Sequence, residues 1–238
     1  MPAVSKDKKI LEIKKLNSGY GRSQVLFDVS MTVPEKGGVA IFGRNGVGKT
    51  TLLKSIIADE ITQTGGSIEI DGEDISTHNH ESRIAKGIGY VPQDLSIFST
   101  LTVKENLILG TPSKKPKSDI SYALDMFPKL KDRINQKAGT LSGGERKMLT
   151  IGRALLGQPR LLLLDEPSEG VWVGVVSEIG DRLCDLARQM TIVIVEQNID
   201  LGLRVTNKAC VMHRGEIVLS GSAKEIQKDN RLKQYLAP

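Results

Sequence analysis

The chain has 238 residues, of which 39% are hydrophobic and 26% charged, ordinary for a soluble globular protein with one large domain or a domain with a subdomain. Its net charge of +5 permits contact with nucleic acid or a membrane surface but argues for neither. The longest apolar runs fall far short of the roughly 20 residues that span a bilayer, and the polar, basic first nine residues show no secretory leader pattern. Cys184 and Cys210 sit among apolar residues without metal-ligand spacing, as reduced core cysteines of a cytosolic protein do.

In chain order, residues 10–16 and 25–33 read as strands, and residues 39–42 form a short apolar run bounded by glycine, the pattern of a buried parallel strand. A helix is expected from 49 to 58, with Leu52, Leu53, Ile56 and Ile57 on one stripe. Residues 67–70 and 88–91 are further strands. His78-Asn79-His80 is expected as an exposed loop, since no other ligands lie at useful spacing. From 93 to 157 helical signals take over: a capping box at Thr102–Glu105, helical spacing over 120–127, and a second box at Ser142–Glu145 that starts a helix ending near Gly157. The basic run Lys114-Lys115-Pro116-Lys117 reads as a solvated loop. Strands then return at 161–165, 191–195, 209–212 and 216–219, with a helix between the first two marked by Val176, Ile179, Leu183, Leu186 and Met190. Alternation of this kind predicts an α/β fold with a mostly parallel sheet covered on both faces.

The chemistry begins at Gly43-Arg44-Asn45-Gly46-Val47-Gly48-Lys49-Thr50-Thr51, a P-loop pattern lying between an expected strand and an expected helix. The glycines let backbone N–H groups turn toward phosphate oxygens, and the helix N-terminus adds favourable charge. Lys49 is expected to reach the β- and γ-phosphates, and the Thr50 hydroxyl to bind Mg²⁺. Asp165, ending the apolar run Leu161–Leu164, is the expected second Mg²⁺ partner, and Glu166 is placed to orient or deprotonate the attacking water. Ser142-Gly143-Gly144-Glu145 has two readings, a plain helix cap or an anion site, and both use the same exposed N–H groups.

With those motifs in hand, the chain resembles the ATP-binding cassette family over nearly its whole length. The matching residues are Tyr20, the P-loop, Gln93 after a strand, the signature Leu141–Glu145, and Asp165-Glu166. The resemblance implies a RecA-like P-loop NTPase core with N-terminal antiparallel strands and an inserted helical subdomain. The divisions are 1–92 and 158–238 for the two parts of the nucleotide-binding core and 93–157 for the helical signature subdomain. It implies that Tyr20 stacks on adenine, that Gly43, Asn45, Gly46, Gly48, Lys49, Thr50 and Thr51 hold ATP, and that Gln93 reaches the γ-phosphate and Mg²⁺. Ser142 and Gly144 would close over ATP held by another cassette. The implied partners are a second ATPase subunit, identical or different, and an integral membrane permease, at the cytoplasmic side of the membrane and without nucleic acid. Two positions depart from the family pattern. Gln197 stands where a switch histidine is usual, and it can hydrogen-bond but carries no imidazolium charge. Trp172 stands where the D-loop aspartate is usual, with packing at an interface or core edge as its simpler reading. Val195-Glu196-Gln197-Asn198 and the Pro167-Ser168-Glu169-Gly170 context look like the ATPases of branched-chain amino acid, urea and amide uptake systems. The apolar stretch with Leu95, Ile97, Phe98 and Leu101 either packs the helical subdomain or receives a permease helix.

Overall fold

Alternating apolar residues along the central strands divide the interior in two. In the computed structural model, which describes residues 8–94, 96–111 and 119–236, Leu161, Leu163, Val193 and Val195 enter one core cluster, while Leu162, Leu164, Ile192 and Ile194 enter the other. Strand side chains point to opposite faces in turn, so one buried sheet holds both clusters apart. Leu95 and the basic run at 114–117 lie outside the described residues.

The sheet that carries the site has six strands. They are β3 (Gly37–Phe42), β6 (Ile88–Val91), β7 (Leu161–Asp165), β8 (Thr191–Glu196), β9 (Lys208–His213) and β10 (Glu216–Ser222). The spatial order is β10-β9-β3-β8-β7-β6, parallel throughout except for the antiparallel edge strand β10. A second, antiparallel sheet joins β1 (Lys9–Tyr20), β2 (Ser23–Pro34), β4 (Thr62–Ile70) and the short β5 (Glu73–Asp74) in the order β2-β1-β4-β5. Its apolar face and helix α1 (Lys49–Ile57) fill the cluster on one side of the parallel sheet.

The other face is covered by α7 (Val173–Ala187), α8 (Ile199–Val205) and the helical stretch α3 (Val103–Ile108), α4 (Ser121–Met126), α5 (Lys129–Asp132) and α6 (Gly143–Leu156). Both expected capping boxes are present, with Thr102 Oγ1 accepting from Glu105 N and Ser142 Oγ from Glu145 N. Helix α1 ends at Ile57, one residue earlier than its apolar stripe predicts, because Ala58 turns left-handed at φ 54. Strands β1 and β4 run well past their expected ends. Mutual pairing carries them through bulges that break the alternation on which the sequence reading relied.

The histidine segment differs from expectation. Asn79 caps α2 (His80–Ala85), and His80 Nδ1 donates to the Ile57 carbonyl at 2.9 Å, so the segment is a half-buried helix start and not an exposed loop. Arg83 in α2 is buried and donates to the Ser55, Ile56, Ser76 and His78 carbonyls, which explains why the chain folds inward there.

Candidate nucleotide site

Four strands of the parallel sheet end at one edge, and the candidate residues lie just past those ends. The P-loop follows β3, Gln93 follows β6, Asp165 and Glu166 close β7, and Gln197 follows β8. In open parallel sheets ligands bind outside the carboxyl ends of the strands, because loops leaving in opposite directions open a crevice there.

The P-loop is built by backbone constraints. Gly46 and Gly48 have φ of 79° and 106°, left-handed values that favour glycine, and a Cβ on Gly46 would meet nothing within 4 Å. The loop therefore leaves open space beside Gly46. Lys49 opens α1 with its side chain 4% exposed. Its Nζ donates to the Gly43 and Arg44 carbonyls at 2.9 and 3.0 Å and pairs with Glu166 Oε1 at 2.9 Å. Thr51 is buried on α1 and its carbonyl accepts from Ser55.

Thr50 Oγ1 donates to Asp165 Oδ1 at 3.2 Å. A hydroxyl and a carboxylate oxygen brought together form the donor set that hard divalent cations prefer, so the pair fits Mg²⁺. Asp165 is fully buried, and burial lifts its pKa to about 6; the Thr50 hydrogen bond opposes the rise and the Glu166 charge adds to it. Tyr90 OH also reaches Asp165, at 3.4 Å.

Glu166 does not continue the strand. Its φ is 44°, and the resulting turn aims its carboxylate back at the P-loop. Gln197 Nε2 donates to Glu166 Oε2 at 3.1 Å and to Asn45 Oδ1 at 2.7 Å. The glutamine at this position thus bridges the carboxylate and the phosphate loop as a neutral donor.

Not every candidate joins this cluster. Tyr20 ends β1 and is 39% exposed. The Gln93 amide donates to Glu169 Oε2 at 2.5 Å, away from the Thr50–Asp165 pair. Ser142 and Gly144 start α6, and no hydrogen bond ties them to the P-loop among the described residues. A Cβ at Gly144 would come within 2.5 Å of the Val175 side chain, so glycine there lets α6 and α7 approach. Trp172, read as packed at an interface or core edge, is not at a core edge. It is 77% exposed, beside Val173 at 79%.

Glu196 is a site residue that the sequence reading passed over. Its carboxylate accepts from Ser168 N and Oγ and from the main-chain N–H groups of Gln197 and Asn198. Burial raises its pKa, partly offset by the Ser168 bonds. It pins the loops after β7 and β8 to each other and so orients Gln197 and Glu166. The signal was available, since Glu196 ends a buried apolar strand just as Asp165 does.

Fold and site together define a P-loop nucleoside triphosphatase. The sequence profile of the ABC transporter family matches residues 26–169. The chain is 39% identical over 214 residues to the high-affinity branched-chain amino acid transport ATP-binding protein BraG of Pseudomonas aeruginosa, covering 88% of this chain and 91% of that one. It is 37% identical to a probable branched-chain amino acid transport ATP-binding protein, LivF, of Archaeoglobus fulgidus, covering 91% and 94%. Among solved structures it is similar to the ADP conformation of an ATP-binding cassette of an ABC transporter, with a TM-score of 0.85 at 27% identity over 97% of this chain and 99% of that one. The chain belongs to the ABC transporter family. Its activity is that of the family's ATPases, hydrolysis of ATP coupled to transport. Among the described residues no helix is long and apolar enough to cross a membrane.

Proposed function

We propose that this chain powers import of a branched-chain or other hydrophobic amino acid, urea or an amide, by hydrolysing ATP beside a separate membrane permease. The substrate class follows the names of the similar BraG and LivF proteins and the Glu196-Gln197-Asn198 and Pro167–Gly170 contexts. The observation that carries the catalytic assignment is the convergence of Lys49, Thr50, Asp165, Glu166 and Gln197 within hydrogen-bonding reach at one sheet edge.

In this reading the P-loop main chain from Gly43 to Thr51 and Lys49 bind the phosphates, Tyr20 supports the base, and Thr50, Asp165 and Gln93 hold Mg²⁺. The cation supplies charge neutralisation on the phosphate oxygens. Glu166 accepts the proton of the attacking water, and Gln197 holds its carboxylate in place. Gln93 would meet the metal through its amide Oε1, because its Nε2 is bonded to Glu169. Ser142 and Gly144 face a second cassette, identical or different, and ATP joins the two. The permease docks at the cytoplasmic side in a groove of about 370 Å³ lined by Tyr90, Leu109 and Arg153 among others. Phe98, 52% exposed with Arg153 lying 5.5 Å over its ring, stands near that groove as an apolar contact.

The test is Glu166→Gln in the complex purified with its membrane subunits. ATP binding should persist while turnover falls roughly 10²–10⁴-fold. Gln197→Ala should cost less, because it leaves the Glu166 carboxylate itself in the site. Undiminished turnover in Glu166→Gln removes Glu166 as the base.

A further inference from the structure

Lys147 is a buried cation that the phosphate chemistry leaves unused. It lies on α6, little more than one turn beyond Ser142, and is 2% exposed. Its Nζ donates to the main-chain carbonyl of Gln93 at 3.0 Å. The Gln93 amide donates to Glu169 at 2.5 Å, and Glu169 N donates to the carbonyl of Glu166 at 3.1 Å. A continuous chain of bonds therefore runs from the helix that starts at Ser142, through Gln93, to the peptide of Glu166.

Burying an ammonium is costly, and a methionine of similar length would fill the space without that cost. Burial pushes the Lys147 pKa down, while Glu169, Asp165, Glu196 and Asp94 pull it up. Those four carboxylates belong to the loop after β6, the end of β7 with its following turn, and the end of β8, so the cation sits where three site-bearing segments meet.

We propose that Lys147 is a positioning residue for ATP hydrolysis, tying α6 to Gln93 and, through Glu169, to the main chain of Glu166, so that the placement of α6 sets the placement of the base. The inference rests on the reading of Glu166 as that base. It makes a specific claim about coupling: cutting the chain at Lys147 or at Glu169 does the same damage.

The experiment measures ATPase kinetics, ATP affinity and thermal unfolding in the purified complex for Lys147→Met, Lys147→Arg, Glu169→Ala, which leaves the Gln93 amide no acceptor there, and the Met/Ala double variant, with Glu166→Gln as reference. Lys147→Met should lower kcat about tenfold, the loss of one charge-assisted hydrogen bond, with the KM for ATP within about twofold of the parent. Lys147→Arg should recover part of the loss. The double variant should be no slower than the worse single one, because one chain is then cut twice. Unchanged kcat in Lys147→Met, a parallel loss of ATP affinity, or losses that multiply in the double variant would overturn the proposal. Where Lys147→Met does not fold, Lys147→Leu, which also lacks a donor, is read by the same criteria. Full turnover in Glu166→Gln would overturn the base assignment, whereas a crippled Glu166→Gln beside an undiminished Lys147→Met would overturn the Lys147 role alone.

Discussion

Lys49 faces two demands. Its ammonium pairs with Glu166 and holds two loop carbonyls in a nearly solvent-free position, and the same ammonium is the one the phosphates would need. Phosphate arriving in the loop would compete with Glu166 for it and loosen the carboxylate for proton transfer. Lys49→Ala should therefore weaken ATP binding, read by titration calorimetry. It should also destabilise the nucleotide-free protein by about 3 kcal/mol in urea unfolding, since it leaves Glu166 buried without its cation. Unchanged affinity would count against the phosphate role, and unchanged stability against the pair. Asp165 gives a pH signature. Its folded pKa of about 6 lies above the ordinary 3.8, so the folded state holds the proton more tightly than the unfolded chain. That contribution is fully present below about pH 4 and is lost as pH rises through about 6. In metal-free, nucleotide-free buffer, Asp165→Asn should raise the unfolding midpoint at about pH 7.5 and do little at about pH 4. An equal shift at both pH values would rule out titration as the cause. The identities of Lys49, Thr50, Asp165 and Glu166 were legible because a phosphate loop fixes residue types at fixed spacing. The Glu166–Lys49 pair was not, because it depends on a left-handed turn at a residue that is not glycine.

At the scale of elements, the anion site proposed for α6 falls on the same four residues as its cap. Ser142 Oγ accepts from Glu145 N, and Glu145 reaches back to Ser142 N at 2.9 Å. The two duties can be separated. Ser142→Ala removes the cap and should cost about 1 kcal/mol of stability as well as ATPase activity. Ser142→Asp keeps a good cap yet adds negative charge where the neighbouring cassette would present its γ-phosphate. Its stability also carries the repulsion of the nearby Glu145 carboxylate, and it should lose more activity than Ser142→Ala. Normal activity in Ser142→Asp would reduce the motif to a cap. The capping boxes and the long buried strands could be read in the sequence because their signals are local. The short helices α2, α5 and α8 could not. Each has seven residues or fewer, too short to show a 3.6-residue period, and each is held by contacts from distant segments such as those Arg83 makes.

Over the whole molecule, no direct hydrogen bond joins Ser142 or Gly144 to the P-loop among the described residues. The P-loop cluster lies at one sheet edge, and the exposed Ser142 turn lies by Gly170, in the loop that leads to the exposed Trp172 and Val173. Trp172 is the only tryptophan, so its fluorescence reports on that surface alone. In Glu166→Gln, saturating ATP should produce a dimer in sedimentation and a blue shift of Trp172 emission, both reversed by removing nucleotide. Dimerisation without a spectral change would place Trp172 outside the interface. Absence of a dimer at saturating ATP would contradict the shared-site reading for identical cassettes.

By itself the sequence determined the class of chemistry, the order of the buried strands and long helices, and the residues of the phosphate-loop pattern, because backbone conformation and phosphate geometry constrain neighbouring residues. Only the tertiary structure decided that Gln197 bridges Glu166 and Asn45, that Glu196 clamps two loops, that Trp172 stands in solvent, and that Lys147 links α6 to Gln93. Those contacts join segments dozens of residues apart, and the chain brings them together only when parallel strands place their carboxyl ends along one edge.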